Sequence, residues 1–101
     1  MAPHPLNELE IAETLSGLPG WSLVDDHLVR RYRLAGHPQA VALLVHIATV
    51  QEEVNHHADL TVSYDHLAVS VNTHSVGGKV TELDVILARR IDALAPAHDA
   101  T

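Results

Sequence analysis

The side chains best suited to chemistry in this chain are two adjacent imidazoles, His56 and His57, and a third, His74, eighteen residues after the first. The unperturbed pKa of imidazole lies near neutrality, so one ring can give a proton while another takes one. The residues between them read as a β-hairpin, and a folded hairpin brings its two outer ends together. All three rings therefore fall within reach of a single site. Glu52 lies four residues before His56 on a helical pattern, so its carboxylate is expected to reach that first imidazole and orient it. The chain has no cysteine, which excludes disulfides and thiolate metal centres. A zinc site would need three or four converging ligands, drawn from His56, His57 and His74 with Asp59 or Glu52. Adjacent residues point in different directions, and neither HxxxH nor HxH spacing occurs, so no metal is expected. The pattern favours histidine acid–base chemistry.

The elements that must hold these residues follow from capping signals and periodicity. Asn7 with Glu10 marks the start of a helix that runs to about Ser16 and stops at Gly17, with Leu9, Ile11, Ala12 and Leu15 as its apolar residues. Trp21 to Leu34 alternates around Asp25-Asp26-His27 and reads as a first hairpin. A second helix spans Gln39 to about Asn55, with Val41, Leu44, Val45 and Ala48 as its expected buried stripe. Leu60 to Tyr64 and Leu67 to Thr73 form the second hairpin. One face of its return strand (Ala68, Ser70, Asn72 and His74) is small and polar and is expected to floor a polar ligand. Gly77-Gly78 turns the chain, and Thr81 with Asp84 caps a last helix whose stripe is Leu83, Leu87, Ile91 and Leu94. The order α-β-β-α-β-β-α predicts an α+β domain: a four-stranded antiparallel sheet with three helices packed on one face. Residues 1–101 are expected to form a single domain, with 1–6 and 96–101 as flexible tails.

Composition narrows the function classes. Hydrophobic residues make up 47% of 101 residues, enough for one modest core, which must be aliphatic because the aromatics are only Trp21, Tyr32 and Tyr64. The formal charge of −7 argues against a nucleic-acid partner. No apolar run approaches membrane length and no signal peptide is visible, so a cytoplasmic protein without a membrane partner is expected.

The stretch from Glu52 to Asp84 resembles the pterin-4a-carbinolamine dehydratases. Their signature has an acidic residue, three residues, a His-His pair, a small residue, an aromatic, nine residues, a histidine and a downstream Asp. Here these are Glu52, His56, His57, Ala58, Tyr64, His74 and Asp84. Ala58 stands where the family usually has proline, and Leu60 where an aromatic is often found. The LPGW stretch near the start and the helix after Asp84 also fit. The resemblance implies the three-helix, four-stranded fold and a hydro-lyase reaction. In that reaction 4a-hydroxytetrahydrobiopterin loses water to give quinonoid dihydropterin, as part of tetrahydrobiopterin recycling. It implies His56, His57 and His74 as catalytic residues and a pterin contact set of Asn55, His56, His57, Asn72, Thr73, His74 and Ser75. Glu52 and Asp84 are supporting groups, and no cofactor is consumed. It further implies a homodimer or homotetramer, with a protein partner as an additional role. The alternative reading is a non-catalytic binding or assembly protein on the same fold, of the kind that serves Rubisco assembly; such relatives tend to lose the histidines, which this chain keeps.

Overall fold

The computed structural model describes residues 3–101. Helix α1 (Glu8–Ser16) starts at Asn7, whose Oδ1 accepts the Glu10 N–H at 2.8 Å while the Glu10 carboxylate accepts the Asn7 N–H at 3.0 Å. Strands β1 (Ser22–Val24) and β2 (His27–Arg33) form the first hairpin around Asp25-Asp26. Both turn residues are at positive φ, a conformation Asp tolerates better than most side chains. Helix α2 (His37–Val54) follows, then β3 (Asp59–Ser63), β4 (His66–Val71) and helix α3 (Glu82–Leu94). The sheet is antiparallel throughout, in the order β1-β2-β4-β3, so the two hairpins join through their return strands β2 and β4. This is the expected α+β architecture, and α2 and α3 carry most of its helix layer.

The core lies between those helices and one face of the sheet. Leu28, Tyr32, Leu67, Val69 and Val71 from the two central strands meet Leu43, Ile47, Leu87 and Ile91 from the helices. Trp21 Nε1 donates to Asp92 Oδ1 at 2.9 Å, and the Tyr32 hydroxyl donates to the same oxygen, which ties the first hairpin to α3.

Three details differ from the sequence reading. The buried stripe of α2 is Ala40, Leu43, Ile47 and Val50, while Val41 and Val45 are exposed. The two stripes lie one residue, about 100°, apart on the helix and both are apolar, so periodicity does not choose between them. On α1 no residue is buried and Leu9 is 68% exposed; only Leu15 packs against the core. The stretch 96–101 is docked rather than a tail. Ala95–His98 forms a 3-10 turn, and the Thr101 N–H donates to Arg33 O at 3.0 Å. At the other end Leu6 packs on the core and its N–H donates to Val80 O at 2.9 Å. Residues 1 and 2 of the expected N-terminal tail lie outside the described residues.

Candidate functional site

The site forms where α2 runs out. Asn55 sits at φ 53° and ψ 44° immediately after Val54, and this left-handed residue ends the helix and redirects the chain. His56, His57 and Ala58 then lead into β3. Across the hairpin, β4 ends at Val71, and Asn72, Thr73 and the 3-10 turn His74–Val76 lie beside the start of β3. Gly77 and Gly78, at φ 75° and 72°, turn the chain back, so that the Thr73 N–H pairs with Lys79 O at 2.9 Å. Gly78 is at a φ that side chains rarely adopt, and the space beside it is tight. A Cβ there would press on Asn72 Nδ2 at 3.3 Å, the same group that donates to Gly78 O at 2.9 Å.

Between these segments lies a cleft of about 350 Å³, lined by Asn55, His56, His57, Asn72, Thr73, His74, Ser75 and Leu83. Its size falls within the range of small-molecule pockets, roughly 300–1,000 Å³. All seven residues expected to contact a ligand line it, including the three histidines. Leu83 belongs to the expected core stripe of α3, yet it is only half-buried and forms an apolar wall. The one sequence signal for that role is its place in the first turn of α3, two residues after the Thr81 cap. A separate cleft of about 400 Å³ beside α1 and α3, lined by Glu10, Glu13, Glu82 and Arg89 among others, contains only His4 as an imidazole.

The carboxylates are distributed differently from the sequence expectation. Glu52 does not reach His56; its Oε2 accepts from His57 Nε2 at 2.6 Å, an exposed pair. The expectation required the helix to persist through His56, and the left-handed turn at Asn55 removes that continuity. His56 is instead held by Asp84, whose Oδ1 accepts from Nε2 at 2.5 Å. The His56 side chain is 12% exposed and that of Asp84 fully buried. Asp84 Oδ2 accepts from the Thr81 N–H and from Thr73 Oγ1, both at 2.8 Å. Because the single Thr73 hydroxyl proton goes to Asp84, the 2.7 Å contact between the two threonines runs from Thr81 Oγ1 to Thr73 Oγ1. The Thr73 hydroxyl is therefore committed inward, and the residue lines the cleft with its remaining atoms.

The hydrogen bond to Asp84 fixes the proton of a neutral His56 on Nε2 and leaves Nδ1 as its acceptor. Asn72 is buried, and its Oδ1 has no protein partner. A buried acceptor without a partner is costly and suits a ligand donor. The remaining motif aromatic, Tyr64, sits at the opposite end of the hairpin in the β3–β4 turn, at φ 54° and 75% exposed, and neither packs nor lines the cleft. Ala68 and Ser70, expected as the ligand floor, lie on the open face of the sheet; only Asn72 and His74 of that series reach the site.

The α+β domain thus gathers three imidazoles in one cleft at the end of its second hairpin, one of them backed by a buried carboxylate. The chain belongs to the pterin 4 alpha carbinolamine dehydratase family, whose model matches residues 4–94. It is 56% identical over 101 residues to a protein of Streptomyces avermitilis, with all of both chains covered, and 42% identical over 89 residues to one of Chloroflexus aurantiacus, covering 88% of this chain and 95% of that one. Both relatives are provisionally named pterin-4-alpha-carbinolamine dehydratases. A transcriptional coactivator/pterin dehydratase from Brucella melitensis superposes with a TM-score of 0.85 at 32% identity, covering 91% of this chain and 99% of that one. A pterin dehydratase-like protein identified as a RuBisCO assembly factor of the alpha-carboxysome shares the fold alone, with a TM-score of 0.59 at 22% identity over 74% of this chain and 86% of that one.

Proposed function

We propose that this protein is a hydro-lyase that dehydrates 4a-hydroxytetrahydrobiopterin to quinonoid dihydropterin and water, in tetrahydrobiopterin recycling. The observation that carries this reading is the convergence of His56, His57 and His74 on one cleft in a chain of the dehydratase family.

The chemistry needs two proton transfers. Hydroxide is a poor leaving group, so the C4a oxygen takes a proton from an imidazolium as the C–O bond breaks. The N5–H bond breaks toward a neutral imidazole, and its electron pair forms the C4a=N5 bond. No electrons enter or leave, and no cofactor is consumed. His56 and His74 flank the C4a–N5 edge as base and acid. His56, with Nε2–H directed to Asp84, offers Nδ1 as the proton acceptor. His57, braced by Glu52, contacts the substrate. Asn72 Oδ1 accepts from an N–H of the pterin, and Asn55 and Ser75 complete its polar surroundings, with Leu83 against the ring. The protein acts in the cytoplasm as a homodimer or homotetramer. Among the described residues no helix is long and apolar enough to cross a membrane.

The test is stopped-flow absorbance of freshly generated 4a-hydroxytetrahydropterin with and without the protein. Accelerated loss of the carbinolamine, reduced by about 10²–10⁴ in His56→Ala and in His74→Ala, is the expected result. Unchanged rates in both variants would sink the reading. No acceleration by a folded wild-type protein would favour the alternative, a binding or assembly role for the same domain with a protein partner.

A further inference from the structure

Gln51 occupies the last turn of α2 and is turned inward, with 6% of its surface exposed. Glutamine is seldom buried unless its amide is used. Here three backbone N–H groups of the histidine segment end on this one residue. Its carbonyl accepts from Asn55 and from His56, the latter at 3.1 Å, and its side-chain Oε1 accepts from Ala58 at 2.8 Å. Both ends of the His56-His57 pair are thereby tied to the helix that precedes them.

The need for such a tie is physical. Asn55 is held in a left-handed conformation, which ends the helix just before the histidine pair and leaves the following residues outside its hydrogen-bond ladder. The Ala58 N–H is also half-buried and requires an acceptor. A proline at this position would have no N–H to satisfy and would bias the preceding residue toward an extended backbone. Ala58 provides neither restraint, and the Gln51 side chain supplies an equivalent one by hydrogen bonding. We infer that Gln51 is a positioning residue that clamps residues 55–58, sets His56 and His57 in register with His74, and does the work a proline at position 58 would do.

This inference rests on the dehydratase reading for its kinetic consequence and on the geometry alone for its structural one. The variants are Gln51→Met, which keeps the length and removes the acceptor, Ala58→Pro, and the two combined. The readouts are kcat and KM for carbinolamine dehydration, NMR titration of the His56 and His57 rings, exchange of the Ala58 amide, and thermal unfolding. Gln51→Met is expected to stay folded, to lose about tenfold to a hundredfold in kcat with KM within about threefold, and to exchange the Ala58 amide faster. The double variant is expected to recover kcat to within about threefold of wild type, because position 58 then has no N–H to satisfy. Ala58→Pro alone is expected to keep kcat to the same extent but to unfold at a lower temperature, because the buried Gln51 Oε1 loses its donor.

Wild-type kcat in Gln51→Met overturns the inference. So does a loss that merely tracks the unfolded fraction, or a folded double variant that stays slow. If Gln51→Met does not fold, Ala58→Pro decides: a tenfold loss in that folded variant overturns the inference. If the wild-type protein dehydrates nothing, the dehydratase reading fails separately. The ring titrations and Ala58 exchange then judge the clamp, which is overturned if Gln51→Met leaves both unchanged.

Discussion

His56 and Asp84, twenty-eight residues apart, share a 2.5 Å hydrogen bond from imidazole Nε2 to a carboxylate with no solvent exposure. The other oxygen of Asp84 accepts from the Thr81 N–H at the start of α3. One carboxylate thus both caps a helix and orients a histidine of the cleft. The ring plane of His56 is tied to the placement of α3, which also supplies Leu83 to the same cleft.

Replacing Asp84 tests that tie. Asp84→Asn keeps the shape but can donate to His56 as well as accept, so the imidazole no longer has a fixed tautomer. The expected loss in kcat is about 10²–10⁴, with the far-UV circular dichroism of the folded protein retained. Asp84→Ala leaves the Thr73 hydroxyl, the Thr81 N–H and His56 without their acceptor and is expected to destabilise the fold by about 3 kcal/mol, read by urea denaturation. A fully active Asp84→Asn enzyme would separate Asp84 from the chemistry.

Glu52 provides the contrast. Its pair with His57 is exposed on both sides, where such contacts are worth about 0.2–1 kcal/mol. Glu52→Gln is therefore expected to change kcat/KM by less than about fivefold and to leave thermal stability within a degree or two. A loss comparable to that of Asp84→Asn would show that His57, not His56, depends on a carboxylate.

Leu83 contributes an apolar wall and no polar group. Leu83→Ala is expected to raise KM about threefold to thirtyfold with kcat changed less, since an apolar contact of a few methylenes is worth about 1–2 kcal/mol. Steady-state kinetics with a saturating pterin separates the two effects.

The polar anchor beneath the first hairpin predicts an alkaline limit. Burial, aided by the hydrogen bond to Asp92, pushes the Tyr32 phenol well above its ordinary value. The folded state then keeps a proton that the unfolded chain releases above about pH 10, so stability is full below that pH and falls as pH rises beyond it. Denaturant midpoints measured from pH 8 upward should show this decline, and Tyr32→Phe should flatten it while lowering stability at neutral pH by about 1 kcal/mol, because Asp92 loses a donor.

The order of elements, the two hairpins, both capping boxes and the gathering of three histidines were legible in the chain, because each is written in short-range spacing. Strand alternation, Asn7 with Glu10, Thr81 with Asp84, and the hairpin that returns His74 toward His56 all act over a few residues or through one turn. The partnerships of the carboxylates were not legible. Glu52 stands at helical spacing from His56, yet Asn55 leaves the helix in a left-handed conformation and hands Glu52 to His57. Asp84 reaches His56 only because α3 docks beside the end of β4. Likewise α2 presents two adjacent apolar stripes, and packing against the sheet and α3 chose Leu43 and Ile47 over Val41 and Val45. Local pattern specifies which elements form. Which side chains meet across them depends on long-range docking, whose geometry is set by the whole core and leaves no periodic trace in the chain.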